Sequence, residues 1–73
     1  MGTYNIVESL GVVAQKGEWT KEVNLVSWNG NSPKVDIREW NADHTRMKKG
    51  ITLTFEETEQ VCMILHNLMR ERR

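Results

Sequence analysis

The C-terminal segment, residues 54–73, carries the strongest secondary-structure signal in the chain, that of an amphipathic helix. Thr54 and Glu57 have the spacing of a capping box, in which a hydroxyl and a carboxylate each accept from a backbone amide at the helix start. Acidic residues follow the cap and arginines end the segment, as the helix dipole favours. The apolar residues of the segment are Phe55, Val61, Cys62, Ile64, Leu65, Leu68 and Met69. At ~100° per residue they cover about half of the helix circumference, more than a helix needs to cover one surface.

The width of that apolar arc predicts two packing partners for the helix, its own sheet along one edge and the helix of a second copy along the other. A single domain of 73 residues, spanning 1–73, buries only ~60% of the surface that its unfolded chain exposes. Cys62 is the only cysteine, so no internal disulfide can add stability, and oligomerisation is the remaining ordinary means. The residues expected at the helix interface of a homodimer are Val61, Ile64, Leu65 and Leu68.

Ahead of the helix, the sequence predicts four strands joined as a meander. Residues 3–15 have mostly apolar even positions, and residues 20–28 are rich in strand-forming side chains. The turn signal NGNSP precedes the third strand, residues 34–40. A polar loop of about ten residues then leads to a short fourth strand within residues 51–55. The predicted fold is therefore α+β, a four-stranded antiparallel sheet followed by one C-terminal helix.

The third predicted strand, KVDIREW, raises the question of function. Its odd positions are mostly apolar, and successive side chains of a strand point to opposite faces. The even positions on the other face are Lys34, Asp36, Arg38 and Trp40. Trp28, at the end of the second strand, has an even position, whereas the core-facing residues Val23 and Leu25 of that strand have odd positions. Trp28 is therefore expected on the face opposite to the core. A face that combines indoles with spaced cations suits single-stranded nucleic acid, because bases stack on aromatic rings while cations neutralise phosphates.

Other interpretations of these residues stay open. A Trp in a small domain is more often a core residue, and alternating charges on a strand commonly form a solvated face with cross-strand ion pairs. Asp36 could orient Arg38 instead of contacting a ligand. Trp19 and Lys21 have the parity of the core face, so whether Trp19 faces the core or a ligand depends on a bulge.

Composition and motifs give little support to other classes of function. Ten basic and ten acidic residues balance, although the stretch from Lys16 to Gly50 has seven cations against five anions. His44 and His66 are 22 residues apart, without metal-ligand spacing or nearby acidic partners, and Cys62 lies in the apolar arc. No phosphate loop, GxSxG motif or carboxylate pair predicts catalysis. We expect a non-enzymatic protein without cofactor or metal and, since no apolar run could cross a bilayer, a cytoplasmic or nucleoid-associated one.

Two separated motifs carry a resemblance to a known family. The stretches WNGNSPKVDIREW (residues 28–40) and KKGITLT (residues 48–54), followed by an acid-capped helix, resemble the single-stranded-DNA-binding domain of the transcriptional coactivator positive cofactor four, and most of all its short bacterial YdbC-type relatives. The likeness spans the chain and is sharpest over residues 28–55. It implies a four-stranded antiparallel sheet with one helix, a homodimer paired through the helices, and a groove formed by the two sheets for single strands.

The resemblance also implies roles for individual residues. Trp28 matches an aromatic residue at the end of the second strand, Arg38 matches the arginine of the DIRE motif, and Trp40 matches an aromatic residue just after it. Lys48 and Lys49 match a basic pair ahead of the KG turn. The residues expected to bind nucleic acid are Lys21, Trp28, Lys34, Arg38, Trp40, Lys48 and Lys49.

The sequence thus predicts a homodimer that binds single-stranded DNA with little sequence preference, in support of transcription, replication or repair. Whether RNA competes with DNA stays open. The alternative is a dimeric protein-interaction module whose exposed aromatic residues dock a transcription or repair factor, because Trp, Tyr and Arg also dominate the energetics of protein interfaces.

Overall fold

The computed structural model describes residues 3–72, which form a four-stranded antiparallel sheet followed by one helix. The elements are β1 (Tyr4–Lys16), β2 (Trp19–Trp28), β3 (Lys34–Trp40), β4 (Ile51–Leu53) and α1 (Phe55–Glu71). The strands lie in the sheet in chain order, each antiparallel to the next. The predicted α+β fold and its meander are confirmed.

The tight turns fall where the sequence places residues that tolerate positive φ. Gly17 has a φ of 61° between β1 and β2, and Asn29 and Gly30 have φ values of 54° and 76° after β2. Asn29 is also tied to the start of the chain, since its amide donates to the Thr3 carbonyl at 2.8 Å and its Oδ1 accepts from the Thr3 amide at 2.9 Å. The turn predicted at NGNSP is confirmed.

β1 does not alternate as the sequence predicts. Its pairing with β2 slips at Val7, Leu10 and Val13, each of which has no partner residue on β2. Each slip changes the parity of the strand, so Ser9 and Val12 both lie opposite even-numbered residues of β2. An extra residue also bends a strand and increases its twist. The mostly apolar even face expected along residues 3–15 is therefore wrong between Val7 and Leu10 and again after Val13, whereas Val12 lies on the same face as Ile6.

The start of α1 has the predicted capping box. The Glu57 amide donates to Thr54 Oγ1 at 3.0 Å, and the Thr54 amide donates to the Glu57 carboxylate at 2.8 Å. At the other end, the amide of Arg72 donates to the Leu68 carbonyl at 3.1 Å. Within residues 3–72, no helix has the length and apolar content that crossing a membrane requires.

The interior of the sheet is small, and α1 adds little to it. The buried apolar residues among 3–72 are Val26, Val35, Trp40 and Leu53. α1 contacts only β3 and β4, and none of its described residues is buried. One residue, Thr54, separates α1 from β4, so the helix starts at the edge of the sheet instead of over its centre. The predicted packing of one helix edge on its own sheet is therefore wrong for most of α1 in the single chain.

Candidate nucleic-acid interface

The guanidinium of Arg38 is held in place on the sheet by a buried carboxylate. Arg38 Nε and Nη2 donate to the two oxygens of Asp36 at 2.6 and 2.7 Å. Asp36 is fully buried and also accepts from Thr52 Oγ1 at 2.8 Å. Bidentate pairing fixes the plane of a guanidinium as well as its position. The structure therefore supports the interpretation in which Asp36 orients Arg38.

Trp28 lies directly beside this fixed cation. Arg38 Cζ is 4.7 Å from the centre of the Trp28 ring, within cation–π range. A cleft of about 280 Å³, here called the Trp28 cleft, opens next to the pair. Its lining residues are Trp28, Asn31, Ser32, Lys34, Arg38 and Thr52. Three of the predicted nucleic-acid-binding residues, Trp28, Lys34 and Arg38, thus lie together around one concave surface.

Trp40 is not available to stack on a base, so the role predicted for it is wrong. Its side chain is 0% exposed. The rings of Tyr4 and His44 lie 5.2 and 5.5 Å from its ring, centre to centre, and Met47 pairs with it as an isolated β-bridge. The segment after β3 folds back over the indole, which therefore belongs to the interior.

That segment is an ordered loop closed by its own polar side chains. The Asn41 amide donates to the Arg46 carbonyl at 3.1 Å, while the Arg46 amide donates to Asn41 Oδ1 at 2.9 Å. The hydroxyl of Thr45 donates to Asp43 at 2.6 Å, and this hydrogen bond holds the pKa of the exposed Asp43 carboxyl below its ordinary value. His44 takes a left-handed φ of 59°. These contacts fix the internal conformation of the loop.

Lys48 does not join the Trp28 cleft with its side chain. Its Nζ lies 4.5 Å from the centre of the Trp19 ring and 4.0 Å from Glu39 Oε2. Trp19 and Glu39 have odd positions and so lie on the opposite face of the sheet from Arg38. Lys21, the partner of Glu39 across β2 and β3, has the same odd parity. The predicted set of cations is therefore divided between the two faces.

Gly50, directly before β4, passes very close to the backbone of β3. A side-chain carbon at Gly50 would collide with Cβ of Arg38 and with the carbonyl oxygen of Ile37. The backbone of β3 cannot move aside cheaply, so only glycine lets the chain approach this closely. Lys49, next to it, is exposed. Gly50 thus contributes to the position of the Arg38 side chain, although it has no side chain of its own.

Glu22 and His44 form a second polar cluster, on the same face of the sheet as Arg38. Residues close to them in the sequence do not predict this contact. Nε2 of His44 lies 2.9 and 3.0 Å from the two carboxylate oxygens of Glu22, which is 22 residues away in the chain. The expectation that no acidic residue lies near His44 is therefore wrong. No group of three or more potential metal-ligating side chains forms in the part of the chain that the structure describes. Only the folding of the loop over the sheet brings these two residues together.

Buried polar atoms without hydrogen-bond partners concentrate on this same face. Within residues 3–72 they are Asn24 Oδ1, Trp28 Nε1 and Trp40 Nε1. Leaving a buried polar group unpaired costs ~1–3 kcal/mol. Native structures keep few such atoms, so each of the three calls for a physical explanation.

Two comparisons relate this geometry to known proteins. The chain is similar to the family described as Transcriptional Coactivator p15 (PC4), whose pattern matches residues 15–64. That range includes β2, β3, β4 and the three predicted residues that line the Trp28 cleft, Trp28, Lys34 and Arg38. The chain is also similar to an uncharacterized protein of Treponema pallidum (strain Nichols), with 35% identity over 66 residues that cover 89% of this chain and 78% of the relative.

Proposed function

The chain belongs to the transcriptional coactivator p15 (PC4) family, and we propose that it binds single-stranded DNA as a homodimer with little sequence preference. The resemblance to positive cofactor four noted in the sequence is confirmed. The family is a nucleic-acid-binding, non-enzymatic one with a transcription-related role. Transcription, replication and repair all expose single strands that such a protein would bind.

The Trp28 cleft is the observation that carries this proposal. It places an indole, a fixed guanidinium and an exposed ammonium around one concave surface. An aromatic ring stacks on any base, and the cations Lys34 and Arg38 can neutralise the phosphates on either side. Because stacking and charge neutralisation do not read base edges, binding of this kind has little sequence preference.

The homodimer rests on the apolar side chains that α1 leaves in solvent. Ile64 is 66% exposed and Leu65 is 51% exposed, and Leu68 is exposed as well. Monomeric soluble proteins rarely expose contiguous apolar patches larger than a few hundred Å². A second copy would cover these residues through its own α1, together with the half-buried Val61. The proposed dimer interface is therefore the one predicted from the sequence, formed by Val61, Ile64, Leu65 and Leu68.

The direct test is the affinity of the protein for a short labelled oligothymidine, measured by fluorescence anisotropy. Replacing Trp28 by Ala should weaken binding by ~1–3 kcal/mol, because the stacking platform is lost. Trp28→Phe is the matched control and should keep most of the affinity, since a phenyl ring also stacks. Equal affinities of the wild-type protein and Trp28→Ala would contradict the proposal.

Salt and strandedness provide a second readout with the same assay. Each phosphate contact should add about −0.7 to the slope of log affinity against log salt for a single strand. Duplex DNA should bind more weakly, because its paired bases hide their faces. A flat salt dependence, with no distinction between single strand and duplex, would favour the alternative of a protein-interaction module.

A further inference from the structure

The two cations that line the Trp28 cleft differ in how many partners they already have. Lys34 is exposed, and its ammonium takes part in none of the ion pairs formed within residues 3–72. The Arg38 side chain is only 13% exposed and is paired with Asp36. A phosphate can therefore reach Lys34 without displacing another group, whereas at Arg38 it competes with contacts that already exist.

Every N–H group of the Arg38 guanidinium has an acceptor in the folded chain. Nε and Nη2 donate to the two oxygens of Asp36 at 2.6 and 2.7 Å, and Nη2 also donates to Thr52 Oγ1 at 3.5 Å. Nη1 donates to Met47 Sδ at 3.5 Å and to the Lys48 carbonyl at 3.4 Å. A guanidinium has five N–H groups, and these five contacts account for all of them. A phosphate oxygen would have to replace one of these acceptors before Arg38 could donate to it.

The charge of Arg38 is also compensated within the chain. Asp36 is fully buried, and its two oxygens face the guanidinium in a bidentate pair. One positive and one negative charge in direct contact leave little net charge to attract a phosphate. Salt dependence reports the cations that neutralise phosphates, so a compensated arginine adds little to it.

The contacts of Arg38 with Trp28 give the guanidinium a different task, that of holding the indole. Arg38 Cζ lies 4.7 Å from the centre of the Trp28 ring, and a planar guanidinium stacks well on an aromatic ring. No acceptor among residues 3–72 pairs with Trp28 Nε1, so no hydrogen bond orients the indole. The ring of Tyr4 lies 6.0 Å away and is tilted by 50°. The orientation of Trp28 therefore depends on packing, to which the fixed plane of Arg38 contributes.

We infer that Arg38 is a positioning residue, which acts on the bound single strand through Trp28, and that Lys34 makes the phosphate contact at the Trp28 cleft. This inference rests on the proposed function and divides the tasks between the two cations of the cleft. Removing the charge of Lys34 should lower the salt dependence of binding. Removing Arg38 together with its anionic partner should lower the affinity and leave the salt dependence unchanged.

The salt dependence of oligothymidine binding, measured by fluorescence anisotropy, tests these two roles. Arg38→Gln is combined with Asp36→Asn, so that the net charge of the chain stays the same and no buried charge is left unpaired. We expect this double variant to bind about tenfold more weakly, within the loss expected for a disturbed stacking ring, with an unchanged slope of log affinity against log salt. Lys34→Gln should instead reduce the magnitude of the slope by about 0.7. A reduction of about 0.7 in the double variant would mark a phosphate contact of Arg38 and overturn the inference.

A double-mutant cycle shows whether Arg38 acts through Trp28. In the Trp28→Ala background, the paired substitution of Arg38 and Asp36 should cause no further loss of affinity, because the ring that Arg38 holds is absent. Lys34→Gln should still weaken binding in that background, since its phosphate contact does not depend on the ring. Fully additive losses from Trp28→Ala and from the paired substitution would overturn the inference.

A measurement on the wild-type protein takes over if the double variant fails to fold by circular dichroism. NMR detects scalar coupling across a hydrogen bond between the ³¹P nuclei of the bound oligothymidine and side-chain ¹⁵N nuclei. We expect such coupling at Lys34 Nζ, and coupling at a guanidinium nitrogen of Arg38 would overturn the inference alone. A folded wild-type protein that binds no oligothymidine overturns the proposed function as well.

Discussion

The face of the sheet that carries the Trp28 cleft, here called the cleft face, and the surface of α1 differ in how many of their side chains have partners within one chain. On the cleft face, Asp36 holds Arg38 and His44 contacts Glu22, so these four side chains have partners within the chain. On α1, the apolar arc lies in solvent, with Ile64 66% exposed. Arg38 and Glu22 thus have partners within one chain, whereas the apolar arc of α1 is left uncovered by the residues that the structure describes.

This difference bears on stability. Among residues 3–72 only four apolar side chains are buried, and α1 supplies none of them. With so small an interior, the chain would gain stability from the further apolar burial of the proposed homodimer. We therefore expect substitutions on α1 to lower stability, and to weaken DNA binding only because less protein is folded. Substitutions on the cleft face should weaken DNA binding directly.

The largest effect is expected from a charge in the apolar arc. Leu65→Asp should place an unpaired carboxylate in the proposed dimer interface, which should cost ~3–5 kcal/mol in the free energy of dimer formation. The dimer should therefore dissociate, and the chain should lose most of its cooperative melting. Sedimentation velocity and circular dichroism measure both effects. Asn67→Asp is the control, because it adds the same charge at an exposed polar position. A folded, dimeric Leu65→Asp variant would contradict the role given to α1.

A large effect on the cleft face is expected from Asp36→Asn. The substitution leaves Arg38, whose side chain is only 13% exposed, without its anionic partner, and should cost ~3 kcal/mol in the free energy of unfolding. It should also weaken oligothymidine binding, because the guanidinium beside Trp28 is no longer held. Urea unfolding and anisotropy test these expectations. Asp43→Asn removes an exposed carboxylate and should change both quantities much less.

A moderate effect is expected where the chain passes close to Arg38. Gly50→Ala would force the new methyl group against Arg38 and the Ile37 carbonyl, which should destabilise the fold by ~1–3 kcal/mol and lower DNA affinity. Gly11→Ala is a matched control, since no atom lies within 4 Å of the position a methyl group would take there. If the two variants melt at the same temperature, the close approach at Gly50 does not constrain the site.

The smallest effect is expected at the start of α1. Thr54→Ala removes the hydroxyl that accepts from the Glu57 amide and should lower stability by ~1 kcal/mol, without changing affinity once the protein is folded. Thr54→Ser keeps the hydroxyl and should be close to wild type. A loss of DNA affinity in folded Thr54→Ala would show that the two regions are more tightly coupled than the contacts of α1 indicate.

Much of the fold could be predicted because its signals are local. The capping box joins Thr54 to Glu57, three positions apart, and the turn after β2 depends on Asn29 and Gly30 themselves. Trp28, Lys34 and Arg38 could also be placed together, because residues 20–26 of β2 pair with residues 34–40 of β3 without a slip, and Trp28 continues the parity of β2. Where a strand keeps its period of two, position in the sequence is enough to assign a face.

The rest depends on contacts that sequence spacing does not encode. The slips at Val7, Leu10 and Val13 arise from pairing with β2, so the parity of β1 cannot be read from β1 alone. Trp40 has the parity of the cleft face, yet the loop that follows folds over it. Its burial is a property of the loop, and so is the contact between His44 and Glu22.

The measurement that tests the central claim most directly is a titration of the protein with oligothymidine, followed through the indole N–H signals in a ¹H–¹⁵N NMR spectrum. Trp28 and Trp19 lie on opposite faces of the sheet, so their signals report separately on the two surfaces. We predict a large shift for Trp28 and little change for Trp19. A spectrum in which Trp19 responds while Trp28 stays in place would contradict the assignment of the single strand to the cleft face.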